Sequence, residues 1–115
     1  MKALFLIRRP PYAGTAVHES LEAALVAGVF DMDVSLLFLE AGVAALANEQ
    51  DASELGVKTV GNVLTGFSAY EIEKIFVCED SAARLNLTEC VVEVERLSLT
   101  DQAALIADQD VVFAI

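Results

Sequence analysis

Short, continuous apolar runs recur along this chain and predict strands that are buried on both faces, as in a parallel sheet. Five runs have this character: 2–8, 34–39, 74–78, 89–94 and 110–115. Between them, apolar residues recur every three or four positions, which is the spacing of a helix with one buried face. The predicted helices are 16–28, 40–47, 57–67, 79–85 and 100–108. Each predicted strand is therefore followed by helical sequence, except the last.

Proline and polar residues mark where the chain turns. Pro10 and Pro11 forbid both helix and sheet ladder and predict a loop, after which Thr15 is suited to begin a helix as its N-cap. The polar segment 48–54 also predicts a loop. Gly61 and Gly66 lower the helical propensity of segment 57–67.

This alternation predicts one domain, residues 1–115, of the α/β class. Because crossovers between parallel strands are right-handed, we expect a three-layer α/β/α sandwich around a mainly parallel sheet of about five strands. The order of the strands cannot be derived from a single sequence, and the flavodoxin-like order is the default for a domain of this size.

The composition narrows the range of functions. Apolar residues make up 56% of the 115 residues, which excludes a disordered chain. No apolar run approaches the ~20 residues that a helix needs to span a membrane, so we expect no membrane-spanning helix. Seven basic residues face 18 acidic ones, giving a net charge of −11. Such a chain repels phosphate backbones and anionic membranes, so we expect no direct contact with nucleic acid or membrane.

The high apolar content predicts a protein partner. A domain this small buries only about two-thirds of its unfolded surface, so some of its apolar side chains are expected to remain exposed until a partner covers them. The segments 41–47 and 57–67 are the candidate interfaces. The alternative is an alanine-rich helical surface on a monomer.

Cysteine usage indicates a reducing compartment. The chain has two cysteines, Cys78 and Cys90, too few for a disulfide scaffold. Only five apolar residues separate Lys2 from Arg8, too few for a secretion signal. We therefore expect a cytoplasmic protein with two reduced thiols.

Several kinds of active site are excluded by their motifs. The sequence has no P-loop, no glycine fingerprint for dinucleotides and no nucleophile elbow. A phospho-acceptor receiver domain would need acidic residues at the positions of Arg8 and Arg9 and an aspartate at the position of Cys78. The chain is therefore not a receiver domain. His18 shares a helix face with Glu22, but a metal site needs further ligands. We therefore predict no metal, no cofactor and a solvated His18.

Cys78 is the candidate reactive residue. In open parallel sheets, ligands gather at the carboxyl ends of the strands, and Cys78 lies between a predicted strand and a predicted helix N-terminus. Unpaired N–H groups there favour the thiolate. Arg8 or Arg9 would add to this effect if the first and third strands were neighbours. Glu79 and Asp80 oppose it, since like charges raise the pKa of a thiol. The alternative is that Cys78 packs as a small apolar residue, as we expect of Cys90.

Taken together, five segments of the chain resemble the DsrE/DsrF-like family of sulfur-relay proteins, and within it the C-type subunit of the relay for tRNA 2-thiouridine. These segments are 11–15, 19–27, 34–43, 70–78 and 108–113. Their order and spacing carry the resemblance over nearly the whole chain.

The resemblance implies a subunit of a heterohexamer with paralogous B- and D-type subunits, two copies of each, and a downstream sulfur-carrier protein as partner. Such complexes pass persulfide sulfur towards the tRNA wobble uridine, or serve sulfur oxidation. The D-type subunit carries the essential cysteine, and Cys78 falls at the matching position. Glu79 and Asp80 stand where D-type subunits have small apolar residues, which implies an accessory role for this chain. The alternatives are a direct persulfide carrier acting through Cys78, and a homo-oligomeric binding module without sulfur chemistry.

Overall fold

The computed structural model describes residues 1–47 and 60–115. Within them, five strands form a single sheet: β1 Lys2–Ile7, β2 Asp33–Phe38, β3 Lys74–Cys78, β4 Glu95–Leu97 and β5 Val111–Ala114. All of the strand pairs are parallel, and the order across the sheet is β4-β3-β2-β1-β5. The predicted parallel sheet is confirmed, whereas the flavodoxin-like default is not the observed order.

Helices connect successive strands and cover both faces of the sheet. The described α-helices are α1 Ala16–Val29, α2 Val60–Thr65, α3 Glu79–Arg84 and α4 Leu99–Ala107. The described part of the connection between β2 and β3 also contains two 3-10 helices, Glu40–Leu46 and Phe67–Tyr70. The short helix predicted for 40–47 is therefore a tighter 3-10 helix. The predicted loop 48–54 and the first residues of the predicted helix 57–67 lie outside the described residues.

The main core lies on one face of the sheet. Alternate residues of β1, β2 and β3 point into it, and α1, α2, α3 and the first 3-10 helix supply the opposing layer. Its largest fully buried side chains include Phe38, Phe67 and Leu21. Leu4 and Leu37 are also fully buried but point to the opposite face, where α4 packs. This layered burial explains the continuous apolar runs in the sequence.

The two segments predicted as interfaces belong to this core instead. Val60, Leu64 and Phe67 are buried inside the chain, and so are Val43 and Leu46. Their apolar character satisfies the fold and does not mark a surface for a partner. The prediction is therefore wrong for these five residues, whereas Ala41 and Ala44 are exposed and Val57 lies outside the described residues.

The fourth strand begins later than the sequence predicts. Segment 89–94 is not a strand: Cys90 makes an isolated antiparallel bridge with Ala47, and the N–H of Val91 donates to the carbonyl of Leu46 over 2.9 Å. These residues therefore pair with the segment after β2 and not with β3. The pairing with β3 starts at Glu95, opposite Phe76.

Candidate functional site

The sheet order decides which groups meet at the carboxyl ends of the strands. β2 lies between β1 and β3, so the condition that placed Arg8 or Arg9 beside Cys78 is not met. The guanidinium of Arg8 turns the other way, and its Nε donates to the carbonyl oxygen of Ile115 over 3.2 Å, next to β5. The neighbours of Cys78 come instead from the end of β2, from α3 and from α4.

Cys78 ends β3 and is at the same time the N-cap of α3. Its Sγ accepts a hydrogen bond from the backbone N–H of Ser81 over 3.5 Å, within the longer range of a sulfur acceptor. A helix begins with N–H groups that have no partner in the helix, and here a thiol satisfies one of them. The residue is buried, with 4% of its surface exposed. The predicted position between strand and helix is confirmed.

Ser81 connects this thiol to a second element. Its hydroxyl oxygen accepts the backbone N–H of Glu40 over 2.9 Å, and it accepts a weaker bond from Nη2 of Arg84 over 3.5 Å. Ser81 itself is only 2% exposed. Glu40 follows β2 with a φ of 52°, a left-handed conformation that is uncommon outside glycine. The end of β2 and the first turn of α3 are thereby held together beside the sulfur.

Gln102 of α4 approaches the thiol from the other face of the sheet. Its Nε2 donates to the carbonyl of Leu97 over 3.1 Å, and its side chain is one of the groups that lower the pKa of Cys78. Leu97 lies opposite Cys78 in the β3–β4 register. Gln102 is 5% exposed and is the buried residue of α4. The thiol is therefore enclosed by polar donors and not by apolar side chains alone.

The balance of burial and hydrogen bonding sets the acidity of this thiol. Burial by itself raises the pKa of Cys78, but hydrogen bonds from the side chain and backbone of Ser81, from Gln102 and from the backbone of Asp80 outweigh it, and the pKa is lowered from its ordinary value. The expectation that Glu79 and Asp80 raise the pKa of Cys78 is wrong. Both of their side chains are exposed, so water screens their charges.

Cys90 differs from Cys78 in every respect that matters for reactivity. It is half-buried and packs against the core, as predicted, and burial raises its pKa against a weaker opposing effect of Arg96. Both cysteines are free thiols. Of the two, only Cys78 has its thiolate form stabilised.

His18 is not on a solvated face as predicted. It is half-buried, and its ring lies 5.9 Å from the ring of Tyr12. Across the described ranges, no group of three or more His, Cys, Asp or Glu side chains converges as a metal site would require.

A shallow pocket of about 300 Å³ opens beside the thiol network. Its lining consists of Glu40, Ala41, Ser81, Arg84 and Leu85. Leu85 is an exposed apolar side chain at the end of α3. The pocket therefore borders Ser81, the residue whose backbone N–H donates to Sγ of Cys78.

Exposed apolar side chains occur in several places on the surface of the described residues. At the end of α1, Val26, Val29 and Phe30 are 55%, 59% and 75% exposed, and no charged residue occurs from Ala23 to Phe30. Leu99 and Ile106 of α4 and Phe113 of β5 are further exposed apolar residues. A helix that is apolar on its outer face as well as its inner one is typical of a helix covered in an assembly.

The sequence pattern missed the residues that act on the thiol. Ser81 and Gln102 are polar, lie in predicted helices and carry no motif. The sequence signal for Ser81 is weak: Ser81 lies three residues after Cys78, the capping position of α3. Gln102 acts from another element, and only the packing of α4 on the sheet brings it to Cys78.

The fold and site define a class: small, all-parallel α/β domains with a cysteine between a central strand and the helix that follows. The model of the DsrE/DsrF-like family matches residues 1–115, and the chain belongs to that family. The expected family is confirmed.

The curated relatives agree with this assignment. A protein named TusC homolog from Pasteurella multocida is 32% identical over 102 residues, covering 85% of this chain and 86% of that protein. The intracellular sulfur oxidation protein DsrF from Allochromatium vinosum is 35% identical over 88 residues, covering 76% of this chain and 65% of that protein.

The fold is also seen in a solved structure. The crystal structure of the ychN protein from E. coli superposes with a TM-score of 0.88 over 100% of this chain and 99% of that one, at 18% identity. This similarity shows the fold alone. No helix within the described residues has the length and apolarity needed to cross a membrane.

Proposed function

We propose that this chain is an accessory subunit of a cytoplasmic sulfur-relay complex that passes persulfide sulfur towards 2-thiolation of the tRNA wobble uridine. Family membership and the TusC and DsrF relatives support the relay. In this proposal the chain assembles with paralogous B- and D-type subunits, two copies of each, and the complex hands sulfur to a downstream carrier protein. The strongly acidic chain itself does not contact the RNA.

The exposed apolar areas support assembly. Val29 and Phe30 are exposed apolar residues at the end of α1, and Phe113 lies half-exposed on the edge strand β5. Apolar side chains at this level of exposure gain free energy when a partner covers them, roughly 25 cal/mol for each Å² removed from water. Subunit interfaces are the use of this surface that fits the relay.

The accessory role rests on the enclosure of Cys78. A sulfur carrier must bring its sulfur within bonding distance of a partner's persulfide, yet Cys78 is only 4% exposed and its Sγ is occupied by the backbone N–H of Ser81. In this proposal the chain supports the complex, and the cysteine that carries the persulfide belongs to the D-type subunit.

A second function, direct sulfur carriage by Cys78, is favoured by the lowered pKa of that thiol. The thiolate of Cys78 would attack the outer sulfur of a donor persulfide. A new S–S bond forms at Cys78, the S–S bond of the donor breaks, and the donor leaves as a thiolate with no net oxidation. The sulfur then leaves Cys78 by attack of the next thiolate on its outer sulfur.

Replacing Cys78 separates the two functions. In a complex reconstituted with Cys78→Ala, an accessory subunit leaves the 2-thiouridine content of tRNA unchanged, whereas a carrier abolishes it although the complex remains intact. Cys90→Ala is the matched control, because it also removes a free thiol but not the one at the end of β3. If deletion of the chain from its host left tRNA thiolation unchanged, the tRNA pathway would be wrong and sulfur oxidation would become the target.

A further inference from the structure

The two edges of the sheet differ in how they are protected against pairing with another chain. β4 is a strand of 3 residues, and two of them, Glu95 and Arg96, are charged and exposed. Nη2 of Arg96 also donates to the carbonyl oxygen of Leu87 over 3.2 Å. Short edge strands with charged side chains resist the addition of a further strand. The β4 edge is therefore closed to a partner strand.

The β5 edge lacks these protections. No charged residue and no proline occurs from Val111 to Ile115. Val112 and Phe113, whose side chains point to opposite faces of the sheet, are 38% and 47% exposed. Among the described residues β5 pairs with β1 alone, so the other side of its backbone has no strand partner. An apolar edge strand of this kind is a template for a further strand.

The amino end of β5 carries an excess of negative charge. Asp108 and Asp110 precede the strand, and the cation bonded to them is Lys2. Nζ of Lys2 pairs with the carboxylate of Asp108 over 2.6 Å. The carboxylate of Asp110 accepts the backbone N–H of Lys2 over 2.7 Å, a bond that adds no second positive charge.

The carboxyl end of β5 carries positive charge instead. Nε of Arg8 donates to the carbonyl oxygen of Ile115, the residue that follows β5, over 3.2 Å. Arg9 comes next in the chain, and both arginines are exposed. The two ends of the β5 edge therefore differ in the sign of their charge.

We propose that β5 pairs with β5 of a second copy of this chain, antiparallel and across a twofold axis, to form one continuous sheet with five strands from each copy. A twofold axis places one surface patch against itself, so the patch must be self-complementary. In a register centred between Val112 and Phe113, Asp110 of each copy lies opposite Ile115 of the other. Arg8 of the second copy is bonded to that residue. The negative end of each strand thus meets the positive end of the other.

The charges at the strand ends also select this orientation. A parallel pairing would place the two acidic ends side by side and the two arginine ends side by side. Each chain carries a net charge of −11, but charges further apart than about 8 Å are largely screened at physiological ionic strength. Residues opposite each other on paired strands are roughly 5 Å apart, inside that distance. The local attraction between Arg8 and Asp110 therefore persists where the general repulsion is weakened.

This pairing goes beyond the proposed function, because it requires neither sulfur transfer nor another kind of subunit. In the proposed complex it would join the two copies of this chain. Its test uses the purified full chain alone, so a negative result would leave the relay to be decided by the tRNA assay.

The test is sedimentation equilibrium over a range of concentrations, in which we expect the unmodified chain to exchange between monomer and dimer. Arg8→Asp and Asp110→Arg each place like charges together at both ends of the pair. Each variant alone should weaken dimerisation about tenfold, the combined size of two exposed ion pairs. An equal mixture of the two variants should restore the dimer, because both ends of the mixed pair again bring an acid to an arginine.

A lysine on the edge strand tests the strand pairing itself. Ala114 is exposed on β5, and Ala114→Lys should weaken dimerisation at least tenfold, since a charged side chain blocks an edge. Ala69→Lys is the matched control, because it makes the same change of charge at an exposed alanine of the second 3-10 helix and leaves the dimer unchanged. If a variant fails to fold, amide exchange of the unmodified chain decides: exchange at Val112 and Phe113 should slow as the concentration rises.

Three results would overturn the proposal. The first is an unmodified chain that stays monomeric at every concentration. The second is a dimer that Ala114→Lys leaves intact or that the mixture of charge variants does not restore. The third is a chain that remains monomeric alone but binds a different DsrE/DsrF-like subunit through β5, which would assign this edge to a paralogue.

Discussion

The ring of Phe113 stacks on the ring of Phe5, with centroids 4.9 Å apart and planes inclined by 23°. The two residues are register partners in the β1–β5 pair. β5 is an edge strand that the chain reaches only after crossing from β4 at the opposite edge of the sheet. The stack therefore joins one of the first residues of the chain to one of the last.

Phe113→Ala tests what this stack contributes. Phe113 is 47% exposed, so we expect about half of the cost of a buried phenylalanine, roughly 2 kcal/mol of unfolding free energy, measured by urea denaturation. Val112→Ala, on the opposite face of β5, is the control and costs less, about 1 kcal/mol. Equal losses in both variants would show that the ring stack adds nothing beyond apolar burial.

Two glycine-to-alanine substitutions are predicted to change the stability of the protein in opposite directions. Alanine at Gly42 would place its Cβ 2.1 Å from the carbonyl oxygen of Ile7, a backbone atom that cannot move aside cheaply. We expect Gly42→Ala to cost about 3 kcal/mol of stability or more. Alanine at Gly66 meets its nearest atom at 3.4 Å and keeps a helical φ of −78°. Gly66→Ala therefore stabilises the protein by about 0.5 kcal/mol. Thermal or urea unfolding of both variants checks the signs.

The lowered pKa of Cys78 predicts a pH-dependent stability. An acidic group whose pKa is lowered by folding contributes stability that is fully present above its unfolded pKa, about 8.5 for a thiol. That contribution is lost as the pH falls through the lowered pKa of the folded state. In a Cys90→Ser background, Cys78→Ser removes this titration but keeps an N-cap oxygen. As the pH rises from about 7 to about 9.5, we expect the background chain to gain stability relative to its Cys78→Ser variant. A difference that stays constant or moves the other way contradicts the lowered pKa.

Tyr12 holds the start of α2. Its Oη accepts the backbone N–H of Val60 over 3.0 Å, one of the donors at the helix start that has no partner within the helix. Tyr12→Phe removes this acceptor and should cost about 1 kcal/mol. Amide hydrogen exchange at Val60 should accelerate, whereas exchange at Leu21, in the core face of α1, should follow global stability alone. Unchanged protection at Val60 would contradict this role for Tyr12.

Periodicity predicted the fold well because burial on two faces leaves continuous apolar runs. β1, β2, β3 and β5 all lie within the predicted runs or within one residue of them. The strand prediction for segment 89–94 is wrong because its valines are half-buried by packing on the core and do not join the sheet. Whether a half-buried backbone pairs with β3 or with Leu46 depends on tertiary contacts that a pattern does not contain.

The site was predictable only in part, for a related reason. The position of Cys78 follows from local order, since the strand and the helix adjoin it in sequence. Its environment does not, because Glu40 and Gln102 reach it from elements that are distant in the chain. Glu79 and Asp80 are adjacent to Cys78 in sequence, but sequence proximity does not reveal that their side chains point into water.

The measurement that tests the central claim most directly is purification of the tagged chain from its host, followed by intact mass spectrometry of every component. The account predicts two further DsrE/DsrF-like subunits in equal amounts with this chain, and persulfide sulfur on the D-type subunit and not on Cys78. A one-sulfur gain on this chain, lost in Cys78→Ala, would replace the accessory role with that of a carrier. Recovery of this chain alone, or only as a homo-oligomer, would contradict the relay complex itself.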